Sequence, residues 1–216
     1  DIYVLNRFFN RLTIITCVKA LLATPDGKVV SQAQHSYKSV FPQPGWVEQD
    51  PEAWWRGAVH AVRQVIAEAK VSPGAIKGIG ASGQGCAVTL IDQDGQVIRP
   101  AIIWMDARAE AQAQRMRACC AEDILRRNGK QPAAYNADPV LLWLQEHEPE
   151  SLARAQTSLT TTGYLNYRLT GRMVTNVSDA RILFACDLHE GRWSERLIAS
   201  FGSFGAVISA SPADLA

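Results

Sequence analysis

The clearest structural signal in the chain comes from residues 77–108, which read KGIGASGQGCAVTLIDQDGQVIRPAIIWMDAR. Three short apolar segments, at 76–81, 87–91 and 101–105, predict three strands. A turn of small residues at 82–85 separates the first two strands, and an Asp-Gln-Asp-Gly turn at 92–95 precedes the third. The small-residue turn and the polar end of the third strand can meet at one edge of a sheet. This arrangement predicts a site for a polar small molecule.

The segments around this stretch alternate between strand and helix patterns. Before it, strand patterns at 2–5, 17–23 and 29–37 predict an antiparallel meander, and Asp50 and Pro51 open a helix with one apolar face. After it, the pattern predicts helices at 107–120 and 121–127, a helix from Asp138, a strand at 157–161 and a short helix at 164–169. This order favours an α/β domain with a mixed five-stranded sheet flanked by helices.

Composition and charge exclude several classes of protein. The 216 residues carry a formal net charge of +1 with the basic residues scattered, so there is no electrostatic reason to expect a nucleic acid or a membrane as partner. No apolar run reaches the roughly 18 residues that span a bilayer, and no secretion signal is present. The five cysteines lack paired spacing and predict reduced thiols in the cytoplasm, and the four dispersed histidines predict no metal site.

Several motifs together resemble one known family. They are FPQPGWVEQDP at 41–51, GASGQGC at 80–86, WMDAR at 104–108 and YNADP at 135–139. They resemble the N-terminal domain of the FGGY family of carbohydrate kinases, and within it most closely the xylulokinases and related pentulose and polyol kinases. The resemblance implies a ribonuclease H-like fold, the fold of actin and the hexokinase-like ATPases. It also implies a cytoplasmic phosphotransferase that moves the γ-phosphate of ATP to a hydroxyl of a ketopentose or polyol.

The resemblance further implies which residues contact the sugar or polyol. The predicted contacts are Gln84, Gly85, Cys86, Trp104, Asp106, Arg108, Tyr135 and Asn136. Residues 85 and 86 are commonly Met-His in xylulokinases and Arg-Glu in glycerol kinases, whereas Gly85 and Cys86 offer no strong hydrogen-bonding side chain. Gln84 can still present its amide, and Gly85 is expected to leave room for a bulkier substrate or a water.

Each of these motifs also has a purely structural interpretation. The glycine pattern at 82–86 by itself supports a tight turn without a ligand as well as it supports a binding turn. Asp106 can cap a helix that starts at Ala107, with Arg108 in its first turn, and this role is favoured over direct contact. Asp138 is favoured as the N-cap of the following helix.

The nucleotide side of the expected site departs from the family pattern. The resemblance implies ATP and Mg²⁺ as cofactors of the complete enzyme, with Thr16 and Lys19 on the cofactor side. The family has an Asp and glycines in the turn between its first two strands, but residues 6–17 contain neither. A frame shift is one hypothesis, because codons for Asn6-Arg7-Phe8 can read as Ile-Asp-Phe when shifted by one nucleotide.

Residues 1–216 are expected to form one domain, the sugar-binding side of such a kinase. FGGY kinases have a second domain that supplies most of the ATP site and the catalytic Asp, and we expect this chain to lack it and to be inactive alone. No catalytic residue and no metal ligand is therefore nominated. The alternative is a non-catalytic remnant or binding module that keeps the fold. The expected partner is a small sugar or polyol, and a homodimer is left open.

Overall fold

The computed structural model describes residues 2–5 and 17–201 of the chain. The strands are β1 (Ile2–Leu5), β2 (Cys17–Ala23), β3 (Val29–Ser36), β4 (Ser39–Val40), β5 (Glu48–Gln49), β6 (Ile76–Gly80), β7 (Thr89–Asp92), β8 (Ala101–Ile102), β9 (Ala155–Leu159), β10 (Cys186–Asp187) and β11 (Arg192–Trp193). The helices are α1 (Pro51–Ala69), α2 (Glu110–Asn128), α3 (Ala137–His147), α4 (Pro149–Arg154), α5 (Thr161–Thr170), α6 (Val177–Ala180) and α7 (Glu195–Phe201). Strands and helices alternate in the order expected of an α/β domain.

The main sheet contains four of the described strands, in the order β3-β2-β1-β6. Strands β1 to β3 form the predicted antiparallel meander, and β6 lies parallel to β1, so the sheet is mixed. The sequence predicts five strands in one sheet, whereas the described residues place the other strands in smaller sheets. The cause is the irregular segment after β6, beyond which β7 pairs with β9 and β8 pairs with β5.

Helix α1 packs on the meander and builds the core beneath it. Asp50 caps the helix as predicted, because its Oδ1 accepts a hydrogen bond from Glu52 N at 2.9 Å. The face turned to the sheet carries Trp54, Ala61 and Val65, none of which has exposed surface. Burial of a large apolar side chain contributes roughly 2–3 kcal/mol. This face therefore anchors α1 on the sheet.

A second core lies between β7, β8 and the helices that follow them. It brings together Leu90, Ile102, Met116, Leu141 and Leu144, with other buried apolar side chains of the same elements. Helix α2 is one continuous helix from Glu110, and it ends at Gly129, which adopts a left-handed φ of 75°. It begins three residues later than predicted because the residues just before it form turns.

The described part of the chain contains all five cysteines. The sulfur atoms of Cys119 and Cys120, neighbours on α2, lie at disulfide-bonding distance, whereas the sequence predicts reduced thiols. Cys17, Cys86 and Cys186 are free.

Within residues 2–5 and 17–201, no group of three or more His, Cys, Asp or Glu side chains is arranged to hold a metal ion. No helix in this part of the chain is long and apolar enough to cross a membrane.

Candidate functional site

The candidate site lies where the 81–86 segment meets the end of β8. Val88 and Ile102 form an antiparallel bridge, in which Val88 N donates to Ile102 O at 2.9 Å and Ile102 N donates to Val88 O at 3.2 Å. Cys86 precedes this antiparallel bridge by two residues and Trp104 follows it by two residues, so both leave it at the same end. Trp104 is 41% exposed and Cys86 is partly exposed. The small-residue turn and the end of the strand therefore lie at the same edge of the fold.

Gln84 is buried and fixes the turn to the segment before α1. Its Nε2 donates to Gln49 Oε1 at 2.7 Å, and the same oxygen accepts a hydrogen bond from Trp54 Nε1 at 2.9 Å. The donor side of the Gln84 amide is thus engaged within the protein. Its Oε1 is buried and has no hydrogen-bond partner, so this oxygen is the part of the amide that remains for a ligand.

Gly83 fixes the other side of the turn through a close approach to α5. Gly83 N donates to Thr162 Oγ1 at 2.9 Å. A Cβ at this position would lie 2.8 Å from Thr161 Cβ, which is closer than real contacts allow. Glycine is therefore required by packing here, and the turn is supported by two distant segments of the chain.

The space beside Gly85 is occupied by a side chain that sequence reasoning missed. A Cβ at Gly85 would lie 2.4 Å from Ile182 Cδ1. The expectation that Gly85 leaves room for a bulkier substrate or a water is therefore wrong. Ile182 fills that room because the turn after α6 carries it back onto the 83–86 segment.

Asp106 and Arg108 form a buried ion pair at the end of β8. The Asp106 carboxylate accepts hydrogen bonds from Val47 N at 2.6 Å and from Arg108 N at 2.8 Å. Arg108 also contacts Glu48 Oε1 through its Nη2 at 2.9 Å, and its guanidinium lies 3.9 Å from the centre of the Trp46 ring. Neither Asp106 nor Arg108 has exposed side-chain surface.

This geometry changes the roles predicted for Asp106 and Arg108. Asp106 caps the turn at Arg108 rather than a helix beginning at Ala107, because α2 begins at Glu110 and its N-cap residue makes no side-chain cap. Both side chains are turned into the interior, away from the exposed ring of Trp104. As placed, they hold the 46–48 segment against the end of β8 instead of facing a ligand.

The turn before α3, which contains Tyr135 and Asn136, brings Asn136 to Cys86. Asn136 is buried, its Oδ1 accepts a hydrogen bond from Ala133 N at 2.8 Å, and its side chain lies within hydrogen-bonding reach of the Cys86 thiol. Tyr135 is 48% exposed. Burial raises the pKa of the Cys86 thiol above its ordinary value, and the nearby Lys130 ammonium opposes that rise. Cys86 therefore stands as a neutral thiol near neutral pH.

Asp138 is not the N-cap that the sequence predicts. It lies inside the first turn of α3, fully buried, and its Oδ2 accepts a hydrogen bond from Phe184 N at 3.0 Å. Burial raises the pKa of this carboxyl to about 6. The N-cap position belongs to Asn136, whose side chain bonds Ala133 instead of the helix. Asp138 therefore joins α3 to the 183–185 segment behind Ile182.

Of the two predicted cofactor residues the structure describes Lys19, which lines one cavity together with Gly80 and Ala81 at the start of the 81–86 segment. Lys19 is on β2, opposite Gln34 of β3, and Thr16 lies outside the described residues. Lys19 also lines a groove between β2 and β3. The described side chains of this groove, such as Leu21, Gln32 and Gln34, include no carboxylate that could bind Mg²⁺. The described residues do not by themselves fit a magnesium nucleotide, and no chemical step is derived through one.

Comparison with known proteins identifies the family of the chain. A model of the "FGGY family of carbohydrate kinases, N-terminal domain" matches residues 15–210. The chain belongs to the FGGY family of carbohydrate kinases. A glycerol kinase of Janthinobacterium sp. (strain Marseille) is 33% identical over 192 residues, which cover 86% of this FGGY chain and 39% of that protein. A xylulose kinase of Bacillus subtilis (strain 168) is 30% identical over 187 residues, which cover 87% of this chain and 38% of that protein.

Solved structures agree with this family. The crystal structure of xylulose kinase from Rhodospirillum rubrum matches with a TM-score of 0.84 at 29% identity, over 89% of this chain and 40% of that one. The predicted actin/hexokinase-like fold is thereby confirmed. The FGGY chain spans about two fifths of the length of the relatives named here.

The motifs of this FGGY chain do not reveal two residues that contact the 83–86 turn, Thr162 and Ile182. Thr162 belongs to the run Thr160-Thr161-Thr162-Gly163, which is typical of a capped helix start, and Thr160 Oγ1 does cap Gly163 N at 3.1 Å. That signal finds the helix but not its contact with Gly83. Ile182 has no local signal at all, because its contact with Gly85 joins residues far apart in the sequence.

Proposed function

We propose that this chain supplies the acceptor-binding side of an ATP-dependent carbohydrate kinase whose acceptor is a ketopentose or a polyol. The proposal is supported by two observations in a chain of the FGGY family. The segments that lead to Cys86 and to Trp104 leave the Val88–Ile102 bridge at the same end, and Asn136 lies within hydrogen-bonding reach of Cys86. The names of the relatives, xylulose kinase and glycerol kinase, support this acceptor class.

Each part of the proposed site has a chemical task. Trp104 offers an exposed ring on which the apolar face of a sugar can pack. Gln84 Oε1 and the exposed Tyr135 side chain supply polar groups for hydroxyls. Asp106 and Arg108 act as positioning residues, because their buried ion pair fixes the strand end that carries Trp104.

We also propose that these 216 residues do not transfer phosphate by themselves. Phosphoryl transfer needs an aligned acceptor, a metal-bound nucleotide and a group that accepts the hydroxyl proton. The chain spans about two fifths of the length of its relatives. ATP and Mg²⁺ as cofactors, Thr16 and Lys19 as their contacts, a cytoplasmic location and a homodimer all stay predictions.

A second candidate function is that of a non-catalytic remnant that keeps the fold. Residues 6–17 favour it, because they contain neither glycine nor Asp where the phosphates are expected to approach. Calorimetric titration with D-xylulose, D-ribulose, erythritol and glycerol separates the two functions. Binding of at least one of these compounds supports the acceptor side, and binding of none of them contradicts it.

An assay for ADP release tests the second half of the proposal. The chain is mixed with ATP, Mg²⁺ and whichever acceptor binds in the titration. We expect no acceptor-dependent ADP. Acceptor-dependent release by the purified chain would show that the 216 residues are catalytically sufficient.

A further inference from the structure

Ile182 makes one part of the candidate site apolar. Its Cδ1 and Cγ1 lie 2.4 Å and 3.5 Å from the point where a side chain at residue 85 would begin. Ile182 is itself partly exposed, as are Gly85 and Cys86. The surface that would otherwise be formed by the side chain of residue 85 is therefore formed by the hydrocarbon side chain of Ile182.

The position of Ile182 is fixed by its own turn. Ile182 N donates to Asp179 O at 3.0 Å, and the Asp179 carboxylate accepts a hydrogen bond from Thr160 Oγ1 at 2.6 Å. On the other side, Phe184 N donates to the buried carboxylate of Asp138 at 3.0 Å. The turn is thus tied to the starts of both α5 and α3, which fixes the backbone of Ile182 beside the 83–86 segment.

Three of the polar groups near this apolar surface have partners within the protein, whereas Gln84 Oε1 has none. Gln84 Nε2 donates to Gln49, Asn136 Oδ1 accepts from Ala133 N, and Lys130 Nζ donates to Arg181 O. Ile182 itself offers no hydrogen bond, so a ligand hydroxyl in contact with this side chain would lose water without gaining a partner from it, which is unfavourable. A methyl or methylene group at the same point would lose nothing.

We propose that the acceptor presents a CH₃ or CH₂ group to Ile182, so that the site prefers a deoxy ketose or deoxy polyol to the fully hydroxylated parent. This inference rests on the proposed acceptor-binding function. It narrows the acceptor class through one named contact. The preferred ligand still carries hydroxyls elsewhere, where Gln84 Oε1 and Tyr135 remain available.

Ligand pairs that differ by one hydroxyl test the preference in the unaltered chain. D-xylulose is compared with 1-deoxy-D-xylulose and 5-deoxy-D-xylulose, and glycerol with 1,2-propanediol, by calorimetry. We expect at least one deoxy compound to bind about tenfold more tightly than its parent. A second result is that ketoses or polyols bind, but no deoxy compound binds more tightly than the fully hydroxylated compound it is paired with. This result overturns the inference and leaves the proposed function standing. Absence of binding by these five compounds and also by D-ribulose and erythritol would overturn both.

A variant pair then assigns the preference to this contact. Ile182→Thr keeps a β-branched side chain and adds a hydroxyl, and Ile66→Thr makes the same change on α1, outside the site. The deoxy preference should disappear in Ile182→Thr and persist in Ile66→Thr. A deoxy preference that persists unchanged in a folded Ile182→Thr variant would overturn the assignment to Ile182. If this variant does not fold, the ligand pairs measured on the wild type still decide whether the preference exists.

Discussion

The Arg108 guanidinium binds the carboxylate of Asp106, two residues earlier, through two parallel hydrogen bonds. Arg108 Nε lies 2.9 Å from Asp106 Oδ1 and Nη2 lies 2.8 Å from Oδ2. Because Asp106 also accepts a hydrogen bond from Val47 N, the pair joins the 46–48 segment to the strand end that carries Trp104. The most conspicuous charges of the WMDAR motif are therefore structural, and the exposed ring of Trp104 is the part left for a ligand.

Breaking this pair should destabilise the fold strongly. Arg108→Met leaves the Asp106 carboxylate buried without its cation, which costs about 3–5 kcal/mol in the free energy of unfolding. Urea denaturation of wild type and variant measures the loss. Arg56→Met is the matched control, because Arg56 and Asp50 form an exposed pair at 2.8 Å, for which a loss below about 1 kcal/mol is expected. Equal, small losses in both variants would show that the Asp106–Arg108 pair has no such role.

Gly83 should not tolerate a side chain. In Gly83→Ala the new Cβ would meet Thr161 Cβ at 2.8 Å, so α5 or the turn must shift. We expect a loss of roughly 1–3 kcal/mol in the free energy of unfolding, together with weaker acceptor binding. In Gly74→Ala the nearest atom is Ser72 Oγ at 3.7 Å, an ordinary contact, and no comparable loss is expected. A Gly83→Ala variant as stable as Gly74→Ala would contradict the close approach.

Asp138 should make the stability of the protein depend on pH in a defined direction. Burial raises the pKa of its carboxyl from 3.8 to about 6, so the folded state binds the proton more tightly than the unfolded state. Protonation of Asp138 therefore contributes to the free energy of unfolding in full below about pH 4. This contribution, about 3 kcal/mol in total, is lost as the pH rises through 6. Relative to Asp138→Asn, the wild type should therefore lose stability between pH 4 and pH 7 in urea denaturation. A pH-independent difference between the two proteins would contradict the raised pKa.

The composition of residues 6–17 makes a prediction about the gene. If a local frame shift explains the missing Asp and glycines, translating codons 6–17 in a shifted frame restores them between the first two strands. Sequencing the DNA across these codons decides the matter. If no frame restores an Asp and glycines, the frame-shift hypothesis is wrong and this segment belongs to the protein as it stands.

Sequence patterns predicted the parts of this fold that depend on neighbouring residues. The β1–β3 meander and the Asp50 cap follow from local alternation and capping chemistry. The contacts that shape the candidate site are different in kind. Gly83 meets Thr162 across 79 positions in the sequence, and Ile182 fills the space beside Gly85 from a turn that no motif connects to it.

The same limit explains two mistaken roles. Asp138 precedes a proline at a helix start, which is the local pattern of an N-cap, but the fold buries it against Phe184 N. Gly85 has no side chain, and a sequence alone cannot show that another residue fills the vacancy. In both cases the deciding partner lies beyond the reach of a local pattern.

The central claim is that the edge formed by the 83–86 turn and Trp104 binds a ketose or polyol. Calorimetric titration of wild type, Trp104→Ala and Phe41→Ala tests it most directly, because Phe41 is likewise an exposed aromatic residue, 57% exposed, and is not among the proposed site residues. We predict saturable binding of at least one ketose or polyol to wild type and Phe41→Ala, weakened about tenfold or more in Trp104→Ala. Equal binding by all three proteins, or no binding by any of them, would contradict the account.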